Sequence, residues 1–305
     1  MMKLGLGTVQ FGMAYGVSNS SGRMPAPEVS ETLDLAAKSG VRVLDTAQAY
    51  GDSEAALGRI LPAKHDFHIV TKTVPDATRT TAQMAQSLRA AFRRSLERLR
   101  QDSIYALLCH DAAQLLGPGG PALWQEMTAL RDEGRIRKIG VSVYTRDEIA
   151  QLLAAFKIEI IQVPFNLLDQ RLLKGGELRD LKRRGIEIHA RSTFLQGLLL
   201  SDSRDLDERF APLRGHLAGL AAMLRGHGLT ALTGALACSL QRAEIDTVLV
   251  GVTSPAELRE ILAALSNLPA REIDFSPCAL SDERFLNPSH WSSLPKEQSS
   301  RSQSC

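Results

Sequence analysis

Eight short apolar runs alternate with helix-spaced amphipathic stretches along the chain, and this alternation restricts the fold more than any other feature. The runs are Leu4–Gly7, Val41–Asp45, Phe67–Lys72, Ile104–His110, Ile136–Val143, Ile158–Pro164, Ile186–Arg191 and Thr247–Gly251. Each has the length and composition of a strand. Between them, Pro27–Lys38, Thr80–Leu99, Leu123–Asp132, Arg146–Phe156, Leu172–Arg184, Leu229–Arg242 and Pro255–Leu265 carry apolar residues at helical spacing, as Leu88, Phe92, Leu96 and Leu99 do. A glycine closes several helices just before the next strand, as in SGVRVLD, EGRIRKIGVS and RGIEIHAR.

Repetition of this kind builds either a closed α/β barrel, the (β/α)8 TIM barrel, or an open doubly wound sheet. No GxGxxG follows the first run, and the chemically active residues end consecutive runs, so a single-domain barrel is expected. We place that domain over residues 1–290, with a polar tail at 291–305 whose Ser-rich end, Lys296–Cys305, is expected to fray. Leu200–Arg225 is longer than a simple connection and is the expected place for a lid or extra helix near the active rim.

Bulk chemistry narrows the function. With 36 basic and 34 acidic residues, scattered among one another, the net charge of +2 offers no nucleic-acid or membrane-surface patch. The longest apolar stretches, such as LTALTGALACSL, are too short and too interrupted to span a bilayer. MMKLGLGTVQFG enters a strand-like run without a signal-peptide core. Cys109, Cys238, Cys278 and Cys305 form no CxxC pair, which suits a reducing compartment and supplies no metal site. A cytoplasmic monomer or small homo-oligomer acting on a small molecule is the expectation. Cys109 adjoins His110, so its thiol is expected to face the helices rather than the barrel interior.

Four ionisable side chains sit at or near the ends of three successive runs: Asp45, Tyr50, Lys72 and His110. Taken singly each has an ordinary structural reading, as a helix cap, a surface phenol, a solvated lysine or a bonded core histidine. Together they bring a carboxylate, a phenol, an ammonium and an imidazole to one rim, which is the composition of a proton-transfer site.

The stretch LDTAQAYGDSEAALG, with the opening LGLGTVQFG and, in order, HIVTK, LLCHD and GVSVY, resembles the aldo-keto reductase superfamily from Leu4 to about Leu265. The resemblance implies a barrel that reduces an aldehyde or ketone with a nicotinamide cofactor. Tyr50 would be the general acid, Lys72 paired with Asp45 would lower its pKa, and His110 would orient the carbonyl. A phenol that titrates near ~10 in water moves toward operating pH beside an ammonium.

Cofactor residues implied by the resemblance are Thr8, Ser142, Gln162, Arg191, Ser192, Phe194, Gln196, Gly251, Thr253, Ser254 and Glu257. Ser142 and Gln162 match carboxamide contacts, and Ser192 a pyrophosphate contact. Gly251, Thr253 and Ser254 match the adenosine 2′-phosphate segment at a helix N-terminus. Four positions depart from the pattern, one of them Ile261 in place of an adenine-binding Asn. Val143 stands for an Asn, Arg191 for an aromatic that stacks on the nicotinamide, and Glu257 for an Arg or Gln. A carboxylate at 257 repels a 2′-phosphate but bonds a free 2′-hydroxyl. Family habit sets NADP(H) ahead, with NAD(H) as the alternative.

Gln10, Phe11, Met13, Tyr15, Tyr144, Arg191 and Trp291 are the candidates for a mixed aromatic and polar substrate pocket, compatible with a sugar-derived carbonyl. The ending DERFLNPSHW resembles that of bacterial members associated with carbohydrate modification. A competing reading is a cofactor-binding regulatory or redox-sensing barrel with little turnover.

Overall fold

The computed structural model describes residues 2–73 and 81–294, and within them eight parallel strands close into a barrel in sequence order. They are β1 (Leu4–Gly7), β2 (Val43–Asp45), β3 (His68–Thr73), β4 (Ile104–Cys109), β5 (Ile136–Ser142), β6 (Ile160–Pro164), β7 (Glu187–Arg191) and β8 (Thr247–Gly251). The expected (β/α)8 barrel is the fold observed. Closure is completed by β8 pairing with β1, Gly7 opposite Gly251.

Strand alternation sorts the side chains into two cores. Val43, Val70, Ala106, Leu108, Ile160 and Leu249 form a small cluster inside the barrel. Their chain neighbours, such as Leu44, Ile69, Leu107, Cys109, Ile161 and Val248, join the large cluster that packs the outer helices onto the sheet. Cys109 therefore faces the helices, as expected, and burial pushes its thiol up to about 12, leaving it protonated. At the N-terminal end of the barrel, Glu187 accepts from Tyr105 (2.6 Å) and Lys138 (2.5 Å) and pairs with His189 (2.7 Å). Burial alone would raise the Glu187 carboxyl, but these three bonds hold it at about 2.

Two expected strands begin late for a shared reason, β2 by two residues and β7 by one. Gly40 and Gly185 lie at φ +80 and +73, the left-handed conformation that ends a helix without strain. The next amide then bonds back five residues, Val41 to the Ala36 carbonyl and Ile186 to that of Leu181, before the ladder starts. The expected helix Leu172–Arg184 is two, Arg171–Lys174 and Glu177–Arg183, broken where Gly176 turns left-handed at φ +87. An additional helix, Ser53–Ile60, follows β2, and Leu200–Arg225 contains the expected extra helix, Arg214–Gly226.

The proposed domain boundary at 290 does not match the packing. Trp291 is buried edge-on against Phe210 (centroids 4.8 Å apart) and donates its indole N–H to the Phe285 carbonyl. An aromatic that large stays with the core it fills. Residues 295–305, with Lys296–Cys305, lie outside the described residues, as does Thr80.

Gly140 marks the tightest contact between neighbouring strands: a Cβ there would lie 1.7 Å from the Ile160 carbonyl oxygen of β6. Gly140→Ala should cost about 1–3 kcal/mol through forced strand displacement. The check is the urea midpoint, and an unchanged midpoint would show that β5 and β6 separate freely.

Candidate active site

The C-terminal ends of the strands open onto a cavity of about 500 Å³. At its base lies the ammonium of Lys72, fully buried on β3. It donates to Asp45 Oδ1 on β2 at 2.5 Å and to the Thr46 carbonyl at 3.0 Å, and its Nζ lies 3.4 Å from the Tyr50 hydroxyl. Gln162 on β6 reaches across the barrel to donate to the second Asp45 oxygen at 2.7 Å. Burial alone would pull the ammonium down. The charges of Asp45 and Tyr50 and the hydrogen bonds to both outweigh it, so Lys72 is held above its ordinary value and stays charged. His110 stands edge-on to Tyr50, ring centroids 5.8 Å apart. Burial, then the charge of Lys72 and more weakly that of Arg191, pull its imidazole to about 4 against the opposing pull of Asp45. It is neutral at ordinary pH, and its buried Nδ1 has no partner.

The surrounding motif residues hold this geometry. Thr8 is fully buried, its hydroxyl engaged by the Asp45 carbonyl (3.0 Å) and Ser53 Oγ (2.8 Å), so it meets the cavity without a free side-chain group. Glu54 is bound by Thr71 (2.6 Å) and by two donors of Arg98 (2.8 and 2.5 Å), which ties the Tyr50 loop to the Thr81–Leu99 helix. A Cβ on Gly12 would lie 1.8 Å from the Tyr50 carbonyl oxygen, so the opening segment presses directly on that loop. Glu54 and Gly12 were quoted in the motifs without roles; their roles are mechanical.

Asp45, Tyr50, His110, Ser142, Gln162, Arg191, Ser192, Phe194 and Gln196 all line the cavity, and Gly251, Thr253 and Glu257 line its far end. Ser254 does not: its hydroxyl accepts from the Glu257 amide and caps the Pro255–Leu265 helix. Of the expected substrate-pocket residues, Gln10, Tyr15, Tyr144 and Arg191 line the cavity, whereas Phe11, Met13 and Trp291 do not. Phe11 and Trp291 belong to the outer core, and Met13 is exposed.

The cavity suits an extended dinucleotide on three counts. Gln10 Oε1 is buried without a partner, and either terminal atom of that amide lies 3.0 Å from where a Cβ on Gly251 would stand. The missing side chain at 251 therefore keeps the groove open beside an unused polar group. Leu195, Gln196 and Gly197 are successively left-handed (φ 47, 55 and 93), a tight turn, with the Leu195 and Gly197 amides bonded back to the Ser192 and Phe194 carbonyls, that brings backbone to the groove wall. Above the groove the loop after β1 meets the loop after β7. Val17 donates to the Gln196 carbonyl (3.1 Å), and Gln196 donates to the Tyr15 hydroxyl (3.0 Å).

Charge is distributed unevenly along the cavity. At the end near Tyr50, the Arg191 guanidinium lies 4.0 Å from the centre of the Tyr144 ring and donates to Ser142 Oγ (3.3 Å), Ser192 Oγ (3.3 Å) and the Val143 carbonyl (3.0 Å). At the other end Glu257 accepts from the Thr253 amide and hydroxyl, both at 2.7 Å, and Glu260 lies one helical turn beyond. Sequence reasoning did not single out Glu260, although its i+3 spacing from Glu257 carries the signal. Among the described residues no His/Cys/Asp/Glu group fit to hold a metal occurs, and no helix is long and apolar enough to cross a membrane.

Known proteins resemble this chain over most of its length. The chain is 26% identical to the NADH-specific methylglyoxal reductase of Escherichia coli (strain K12), over 87% of this chain and 90% of that protein. It is 28% identical to the D-threo-aldose 1-dehydrogenase of a Pseudomonas species, over 81% and 87%. Among solved structures, the holo form of an aldo-keto reductase from Bacillus halodurans superposes with TM-score 0.69 at 20% identity, covering 97% of this chain and 93% of that one. An aldo/keto reductase from Klebsiella pneumoniae, in complex with NADP and acetate, gives TM-score 0.64 at 21% identity, with 88% of each chain covered. The family model described as Aldo/keto reductase family matches residues 3–277, every strand and every candidate catalytic and cofactor residue included, and the chain belongs to that family of NAD(P)-dependent oxidoreductases.

Proposed function

We propose that this enzyme reduces a small polar aldehyde or ketone to the alcohol with Tyr50 as general acid, taking NAD(H) in preference to NADP(H). The observation that carries the reading is the buried Lys72 ammonium, set between the Asp45 carboxylate and the Tyr50 hydroxyl at the base of the cavity. A bound nicotinamide cofactor supplies the hydride. Tyr50 delivers a proton to the carbonyl oxygen, and the phenolate left behind is stabilised by the ammonium 3.4 Å away. Asp45, fixed by Lys72 and Gln162, keeps that ammonium charged and aimed. His110, neutral, donates a hydrogen bond that orients the carbonyl without competing as an acid. Ser142 and Gln162 hold the carboxamide end, and Ser192–Gly197 the pyrophosphate.

Charge at the far end supports NAD(H) over the NADP(H) of family habit. Thr253, Glu257 and Glu260 line it, and Arg191, the only lysine or arginine among the described lining residues, lies near Tyr50 instead. A 2′-phosphate would face two carboxylates with no cation, whereas a 2′-hydroxyl can donate to Glu257. For the substrate, Tyr15, Ser18, Asn19 and Gln196 give the entrance hydroxyl and amide groups suited to a sugar-derived or dicarbonyl compound. The relatives named for methylglyoxal and aldose chemistry point the same way.

Tyr50→Phe should lower kcat for a nitrobenzaldehyde or methylglyoxal by about 10²–10⁴, with NADH affinity, read by fluorescence, nearly unchanged. Wild-type protein that binds NADH but turns over no carbonyl in a broad panel would instead support a binding or sensing barrel. Since His110 is neutral down to about 4, kcat/KM for reduction should show no inflection near the ordinary histidine value of about 6.5. An inflection there that vanishes in His110→Asn would contradict the neutral donor. Finally, Glu257→Arg should shift the kcat/KM ratio of NADPH to NADH at least tenfold toward NADPH. A wild type that already prefers NADPH tenfold would sink the cofactor preference while leaving the acid assignment standing.

A further inference from the structure

The cation at the catalytic end of the cavity has no role in the proton-transfer scheme. Arg191 ends β7 and lines the cavity within bonding distance of Ser142. Its three hydrogen bonds go to neutral oxygens, those of Ser142, Ser192 and Val143, and among the described residues no carboxylate pairs with it. The lining carboxylates are committed or remote: Asp45 is held by Lys72 and Gln162, and Glu257 and Glu260 lie at the other end. Three of five guanidinium N–H donors are used. One face of the group is layered on Tyr144 at 4.0 Å, so the charge is fixed in place.

We propose that Arg191 sets the enzyme's preference between the two redox states of its cofactor, binding the neutral dihydronicotinamide and rejecting the cationic nicotinamide ring. The inference rests on the function proposed above: a hydride donor serving a carbonyl protonated by Tyr50 must sit at this end of the cavity. There the space beside Tyr50 and His110 is closed on its other side by Ser142, Gln162 and Arg191. Oxidation of the cofactor creates a full positive charge on the ring. In a half-buried site that charge is poorly screened from a fixed guanidinium, and the repulsion falls on the oxidised form alone. The consequences are weak retention of the oxidised product and, for the bound couple, a shift toward the reduced form. An aromatic residue here would have the opposite sign, because a ring face attracts the nicotinamide cation. Arg191 thus acts on the cofactor's charge rather than on its 2′ end, and the effect is independent of the NADH or NADPH preference.

The test compares dissociation constants of NAD+ and NADH for wild type, Arg191→Met and Arg191→Lys, NADH by its fluorescence and NAD+ by competition. The ratio Kd(NAD+)/Kd(NADH) should fall at least tenfold in Arg191→Met and be largely kept in Arg191→Lys, which retains the charge and loses the stacking. The same fall is expected with NADP+ and NADPH. An unchanged ratio in Arg191→Met overturns the proposal. So does equal loss of both forms, which would mark a packing role, and so does a change confined to KM for carboxylate-bearing carbonyls, which would make Arg191 a substrate anchor. Should Arg191→Met not fold, the wild type decides: a ratio near one overturns the proposal. Wild-type protein that binds no nicotinamide dinucleotide in either state overturns the proposed function itself.

Discussion

A lysine whose ammonium has no access to water is tolerated only when its charge is matched on the spot, and the barrel is arranged around meeting that condition at Lys72. Removing one member of such a buried pair typically costs about 3–5 kcal/mol, because the other is left desolvated and uncompensated. Lys72 is matched by Asp45 on the neighbouring strand, Asp45 by Gln162 from across the barrel, and the β2 end that carries Asp45 by Thr8 and Ser53. The arrangement needs β1, β2, β3 and β6 at once, so only the closed barrel satisfies it. Site and fold share one constraint: the charge set beside the Tyr50 hydroxyl also punishes any misregistration of the strands that surround it.

That coupling explains why so much was legible from the chain. Asp45, Lys72 and His110 are polar residues at the ends of runs otherwise apolar, and in a parallel barrel strand ends converge whatever the loops do. The elements that resisted reading depend on partners distant in sequence. Where a strand starts is set by a helix-end amide, as at Val41 and Ile186, and periodicity does not reveal it. Trp291 looked like tail or pocket because its partner, Phe210, lies in a long connection with no regular pattern. Ser254 looked like a ligand-binding residue because a helix cap and an anion site favour the same residue type. Thr8 lines the cavity, yet its hydroxyl serves Asp45 and Ser53.

Departures from the family pattern were visible as substitutions, while their meaning required neighbours. Glu257 alone is a carboxylate near a helix N-terminus, which is the position where a helix favours one. Its engagement with Thr253 and the adjoining Glu260 turns it into one side of an acidic end wall. Arg191 alone is a strand-end arginine. With Ser142, Val143, Ser192 and Tyr144 around it and no carboxylate among them, it becomes a fixed charge.

The cavity therefore carries a cation, Arg191, in its lining near Tyr50 and two carboxylates, Glu257 and Glu260, in its lining beyond Gly251. A dinucleotide laid along this gradient meets a cation where its own charge changes during turnover and carboxylates where a phosphate would distinguish NADP from NAD. Both terms penalise one form of the cofactor rather than strengthen the other, which is how an enzyme discriminates between ligands identical over most of their surface. On the function proposed above, contacts common to all forms of the cofactor would provide affinity, and Arg191 and Glu257 would provide the selectivity.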